Sequence, residues 1–362
     1  MSIAFNSSQW EKIKNDARDW WAGKLERPLI QVTLTGFPFD RPEPPLHGQY
    51  FIPFYDDSVS AESIVDLWDY GFSTCRFLGD AFPHVCPYFG AGVIAAFLGA
   101  TMKKAVTEGT IWFQPERQRE IGDLHFQYDP ENFLFRRIQD IYRTGLERWG
   151  GQVQMAMTDL GGSLDILSTF RPSENLLLDL YDHPEDVKRL NWELHDIWWK
   201  YFDAFNALLR PVNPGYTAWT QMYSETPYYM LQCDFCYMIS PEMFDEFVKP
   251  ELQASCRRLG NAFYHLDGPG ELPHLDSLLS IPELKGIQWI PGTRQPDMAH
   301  WPEVYRKIRD AGKLIQINGP LSTLDALTKQ LGSAKGICLL MDGQNIANEQ
   351  EVLAGLRRYG VV

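Results

Sequence analysis

Short apolar or β-branched runs alternate with longer amphipathic stretches over the last two thirds of the chain. The runs cover residues 152–157, 216–222, 262–265, 286–290, 313–317 and 336–341, and Leu29 to Thr33 adds an earlier one. Each has the length of a buried strand. Gly92 to Leu98 is a further apolar element of the N-terminal part. Between the runs lie helical patterns with recognisable starts. His183 and Pro184, followed by two carboxylates, open a helix to about Leu209. Ser240, Pro241 and Glu242 supply an N-cap, a proline at the first helical position and an early carboxylate, opening another to about Leu259. Shorter helices are expected near 272–280, 301–311, 321–331 and 348–358.

Strand–helix units repeated in this way predict an α/β fold with a parallel sheet, and at this length a (β/α)8 TIM barrel. An open doubly wound sheet is the alternative, but no Gly-rich phosphate fingerprint follows any of the runs. Up to about residue 150 the texture is irregular. Prolines and aromatics crowd Gly36 to Pro45, which reads as a long ordered loop. No repeat or low-complexity linker divides the chain, so residues 1–362 are expected to form a single domain, the barrel with an irregular N-terminal extension.

Charge narrows the partners. Thirty-three Lys and Arg against 47 Asp and Glu leave a net charge of −14. That balance argues against a phosphate-neutralising surface and hence against nucleic acid. The longest apolar run, Ala91 to Ala100, is half the length of a membrane span, and the N-terminus lacks the pattern of a secretion signal. Six scattered cysteines read as reduced thiols. A cytoplasmic protein acting on a small molecule is the expectation, with neither nucleic acid nor membrane as partner.

Candidate chemistry sits where strands end. His265 and Asp267 are two apart, so their side chains leave one face of a strand, and Gly268 and Gly270 follow at once. An imidazole and a carboxylate together at a strand end suit metal ligation or proton transfer. The plainer reading is a hydrogen-bonded core histidine with Asp267 capping the next helix. Asp159 precedes Gly161 and Gly162, and Asp342 precedes Gly343, each at the end of a run. Cys233 and Cys236 form a C-x-x-C without a second pair. If that segment is extended the two thiols face opposite ways, and only Cys233 enters the site. His84, in the loop from Asp80 to Cys86, could line a pocket or a surface turn. There is no P-loop, no H-E-x-x-H and no G-x-S-x-G.

Several segments carry a family resemblance. Leu231 to Pro250, Tyr264 to Gly270 and Ile287 to Gly292, with Phe89 to Gly99, Asp159 to Ile166 and more mildly Trp20 to Pro28, resemble the uroporphyrinogen decarboxylase superfamily. The resemblance implies a (β/α)8 barrel and one of two chemistries. The decarboxylases of the superfamily use an Arg-rich N-terminal loop, for which this chain has Arg41 alone among prolines. The other branch transfers methyl groups to or from a corrinoid held on a partner protein, using zinc bound by a His-x-Cys pair and a further Cys. His265 stands at the histidine and Asp267 at the cysteine of that pair, so the resemblance implies zinc on His265, Asp267 and Cys233. Catalytic residues are then His265, Asp267 and Asp159, and substrate-binding residues Tyr264, Trp289, Asp342 and His84. A homodimer is implied by analogy with the superfamily alone. The competing expectations are a cofactor-free lyase acting on a small carboxylic acid, with His265 and Asp267 as acid–base pair, and a non-catalytic barrel that docks a corrinoid partner.

Overall fold

The computed structural model describes residues 3–362, apart from the side chain of Asp342. Its strands are β1 (Leu29–Thr35), β2 (Arg76–Gly79), β3 (His84–Val85), β4 (Thr101–Ala105), β5 (Thr110–Gln114), β6 (Gln154–Met155), β7 (Tyr228–Leu231), β8 (Asn261–Asp267), β9 (Leu284–Ile290), β10 (Leu314–Asn318) and β11 (Ile337–Asn345). A seven-stranded sheet runs β2-β1-β11-β10-β9-β8-β7, parallel throughout except for β2 at its edge. The parallel pair β3–β6 stands apart from that ladder, and β4–β5 form an antiparallel hairpin. The architecture is therefore α/β with a mostly parallel central sheet, and among the described residues the ladder does not close on itself.

Four expected helices fall where the periodicity put them: Pro184–Leu209, Pro302–Asp310, Leu321–Leu331 and Glu349–Arg358. The one expected near 272–280 is a 3-10 turn, Pro269–His274, running into the short Leu275–Leu279, and Ser163–Phe170 and Ser173–Asp182 add helices that the periodicity did not predict. The helix opened by Ser240, whose side chain accepts from the Met243 N–H, is interrupted by a π turn at Phe244–Val248 before Lys249–Leu259.

Three expectations change. The first 150 residues hold full helices at Ser7–Trp21, Ala61–Ser73 and Phe133–Trp149, so the irregular texture is confined mainly to 36–60 and 115–132. In Ser7–Trp21 the buried residues Trp10, Ile13, Ala17 and Trp20 recur at helical spacing, and Asn6 with Gln9 closes a capping box. Trp20 and Trp21 then pack on Phe263, covering the end of β8 remote from Asp267. Residues 216–222 are not a strand: Tyr216 makes one antiparallel bridge with Ser224, and the strand is the wholly buried Tyr228–Leu231 a few residues on. Gly92 to Leu98 forms the short helix Ile94–Phe97.

No helix among the described residues is long and apolar enough to cross a membrane. All six cysteines are free.

Candidate metal centre and adjoining clefts

Strand alternation sorts β8 as its sequence suggests. His265 and Asp267 leave one face, and Tyr264 and Leu266 are buried on the other. Across the ladder His265 pairs with Gln288 and Asp267 with Ile290. The turn after β7 adds a third group. Asp234 opens a 3-10 helix, Asp234–Met238, and its carboxylate lies with His265 and Asp267 in a set whose ligand atoms are all within 4.8 Å of one another.

The imidazole is held from two sides. Nδ1 of His265 donates to Oε1 of the buried Gln288, and its ring meets Trp219 edge to face at 5.1 Å. With the proton on Nδ1, Nε2 keeps its lone pair, the arrangement found behind metal-binding histidines. Surrounding protein strips water from the Asp234 carboxyl and raises its pKa. Repulsion from Asp267 adds to this and attraction from His265 opposes it, although the side chain still touches solvent. One nitrogen and two carboxylates that repel each other make a donor set suited to a divalent cation such as zinc, with no cysteine in it.

Two further carboxyls lie behind Asp234. Asp159 accepts from the Gly161 N–H at 3.0 Å and from the Tyr88 hydroxyl at 3.3 Å, and burial pushes it up to about 7. Asp165 accepts from the Phe235 N–H at 2.8 Å through Oδ1, while its buried Oδ2 has no hydrogen-bond partner. Burial, then repulsion from Asp234, lifts it to about 7 as well. Glu271 is fully buried beside this group, and burial followed by repulsion from Cys236 and Asp234 pushes it up to about 11, so it is held as a neutral acid.

The loop carrying Asp159 is fixed by aromatic side chains. The Tyr142 hydroxyl bridges Ala156 and Thr158, Tyr229 accepts from the Leu160 N–H at 2.7 Å, and the Trp198 indole donates to the Gly161 carbonyl at 2.9 Å. Gly161 has φ +79°, and a Cβ there would stand 2.5 Å from Cα of Gly92. A Cβ on Gly162 would meet the Gln232 carbonyl at 2.3 Å. Only glycines let the chain pass between the 88–92 loop and β7.

The structure thus groups His265, Asp267 and Asp159 near one another. It places the remaining candidates elsewhere. Tyr264 points into the helix layer, its hydroxyl 3.7 Å from the Cys236 sulfur. Trp289 is buried on the face of β9 away from Gln288, against Trp301 at 5.1 Å. Cys233 is buried and lies outside the three-residue set, in which Asp234 stands instead. The 233–236 segment is a tight turn rather than extended. Its two thiols interact, and that hydrogen bond, together with burial, raises the Cys233 pKa. His84 hydrogen-bonds the Ala218 carbonyl at 3.1 Å, and burial lowers it to about 4. The side chain of Asp342 lies outside the described residues.

Asp234, Asp165 and Gln288 were not singled out by the sequence. Asp234 was hidden between two cysteines, and Asp165 sits in a short helix, Ser163–Phe170, that the periodicity did not predict. Gln288 could have been found by pairing β8 with β9 in register.

Two clefts border this centre, one at Asp234 and the other at Asp267. One, of about 400 Å³, includes Phe51, Tyr88, Trp112, Phe113, Asp165 and Asp234 in its wall. The other, of about 660 Å³, is bordered by Asp267, Ile290, Thr293, Met298 and Asn318.

No protein-family model matches the chain, and no curated protein matches it.

Proposed function

We propose that this chain is a metal-dependent methyltransferase of the uroporphyrinogen decarboxylase superfamily, moving a methyl group between a small substrate and a corrinoid on a partner protein. In the same reading, β1, β3 and β6 to β11 are the eight strands of a closed (β/α)8 barrel, with the metal at their C-terminal ends. The observation that carries the proposal is the convergence of Asp234, His265 and Asp267, with a cleft bordered by Asp234 on one side and a cleft bordered by Asp267 on the other.

These three residues would hold the ion, zinc being the first expectation. Bound there, it would act as a Lewis acid on a heteroatom of the substrate, the more strongly for lacking thiolate ligands. Gln288 keeps His265 in the tautomer that offers Nε2. Asp159 and Asp165, each near pH 7 in pKa, can give or take a proton at neutral pH. When the bond between methyl carbon and heteroatom breaks, the electron pair stays on the heteroatom. Where the leaving group needs a proton, either carboxyl can supply it. The methyl carbon bonds to an electron pair of the acceptor, so charge and atoms balance.

A lyase acting on a small carboxylic acid is disfavoured by the same groups. The Asp165–Asp234 cleft has no lysine or arginine in its wall to receive a carboxylate. Arg41 is committed to Asp66 and Asp69.

Metal analysis of protein purified without chelator, followed by zinc reconstitution, tests the proposal. Expected is about one zinc per chain, lost in both His265→Ala and Asp234→Ala variants. Wild-type protein that takes up no divalent metal would overturn it.

A further inference from the structure

The 400 Å³ cleft beside the metal centre has walls and a floor of unlike character. On one side Tyr88 and Phe51 are stacked at 5.0 Å, with Tyr50 edge-on to both. On the other, the β4–β5 hairpin presents Trp112 and Phe113. The hairpin lies close because position 90 is glycine, where a Cβ would stand 2.8 Å from Cβ of Ile111. Behind the aromatic rings are Asp165, whose Oδ2 is buried without a hydrogen-bond partner, and Asp234. Among the described residues no lysine or arginine contributes to the wall.

Aromatic ring faces carry partial negative charge and attract cations, and the acidic end of the cleft, Asp165 and Asp234, acts in the same sense. A carboxylate or phosphate ligand would be repelled here. A neutral one would gain nothing from the carboxyl charge. The wall also holds Thr110, Ser168, Thr169 and Gln232, but on the aromatic side Phe51, Ile111 and Phe113 offer a primary ammonium no acceptor. We propose that this cleft binds a quaternary ammonium compound, with the N-methyl groups between Tyr88 and Trp112 and the charge facing Asp165. The proposal rests on reading the cleft as the substrate side of the metal centre, and it specifies the methyl donor. Transfer from such a donor would break a C–N bond whose electron pair stays on nitrogen, while the methyl carbon would bond to an electron pair of the partner protein's corrinoid. The quaternary nitrogen has no free pair before that bond breaks, so it would meet the metal ion only as the pair is released. The product amine leaves with the freed electron pair, which takes a proton from water at neutral pH, so atoms and charge balance.

Titration calorimetry of the full chain with choline and with its neutral isostere 3,3-dimethylbutan-1-ol tests this, using zinc-loaded and chelator-treated protein. Choline is expected to bind at least about tenfold more tightly than the isostere. Trp112→Ala should weaken choline about fivefold or more and Trp112→Phe less, with metal content unchanged in both. Trp112 is 55% exposed, so neither change threatens the core. Equal affinity for the two ligands overturns the proposal, as does no choline binding by zinc-loaded protein. Choline binding by a chain that takes up no metal supports the cleft assignment while overturning the metal-dependent methyl transfer.

Discussion

The hydrogen bond from His265 to Gln288 bears on metal affinity more than its place outside the ligand set suggests. Gln288 is 1% exposed and faces His265 directly across the β8–β9 ladder. Replacing it by Leu keeps a buried side chain of similar size but removes the acceptor that, among the described residues, fixes the proton on Nδ1. The imidazole can then place its proton on Nε2, which withdraws the lone pair from the ion. Losing such a partner costs about 10- to 100-fold in metal affinity, roughly 1.4 to 2.8 kcal/mol at 1.4 kcal/mol per decade. Gln288→Glu should act in the opposite sense, because a carboxylate behind the ring raises the basicity of Nε2. Competition against a chromophoric chelator measures both, with circular dichroism to confirm folding. A Gln288→Leu protein with wild-type zinc affinity would refute the idea that His265 binds through Nε2 in a tautomer set by Gln288.

Gly161→Ala places a methyl group 2.5 Å from Gly92 Cα at φ +79°, combining backbone strain with overpacking. A loss of about 2 to 4 kcal/mol is expected in urea denaturation, and a change below about 0.5 kcal/mol would contradict the close approach. His84 titrates near 4 when folded and near 6.5 as a free side chain, so the unfolded chain binds more protons between those values. Its contribution is complete above pH 6.5 and lost as pH falls, by about 2 kcal/mol at pH 5 and about 3 at pH 4. A His84→Gln variant should therefore show a shallower acid limb than wild type in denaturant titrations at pH 7.5 and 5, and identical slopes would remove His84 from that role.

Periodicity revealed the C-terminal helices well because each buries one stripe against the sheet. The 184–209 helix does so over its full length, from Val187 through Leu194 and Phe205 to Leu209. Strands were harder. Residues 216–222 have strand-like composition but make a single bridge, whereas the four buried residues of Tyr228–Leu231 are too short and uniformly apolar to show alternation. Within the site, the two-residue spacing of His265 and Asp267 was legible because strand geometry alone puts both on one face. Asp234 was not, since its place depends on how a turn after β7 folds toward β8. Tyr264 and Trp289 drew attention by neighbouring polar strand-end residues, yet odd and even positions of a strand face opposite ways, and both are buried among helices. Their registers, one residue from His265 and from Gln288, carried that information.

Anomalous diffraction at the zinc edge from crystals of the zinc-loaded chain tests the metal centre most directly. One peak is expected at bonding distance, about 2.0 to 2.2 Å, from Nε2 of His265 and from carboxylate oxygens of Asp234 and Asp267. A peak held instead by the Cys233 and Cys236 sulfurs, or no peak near β8, would contradict it.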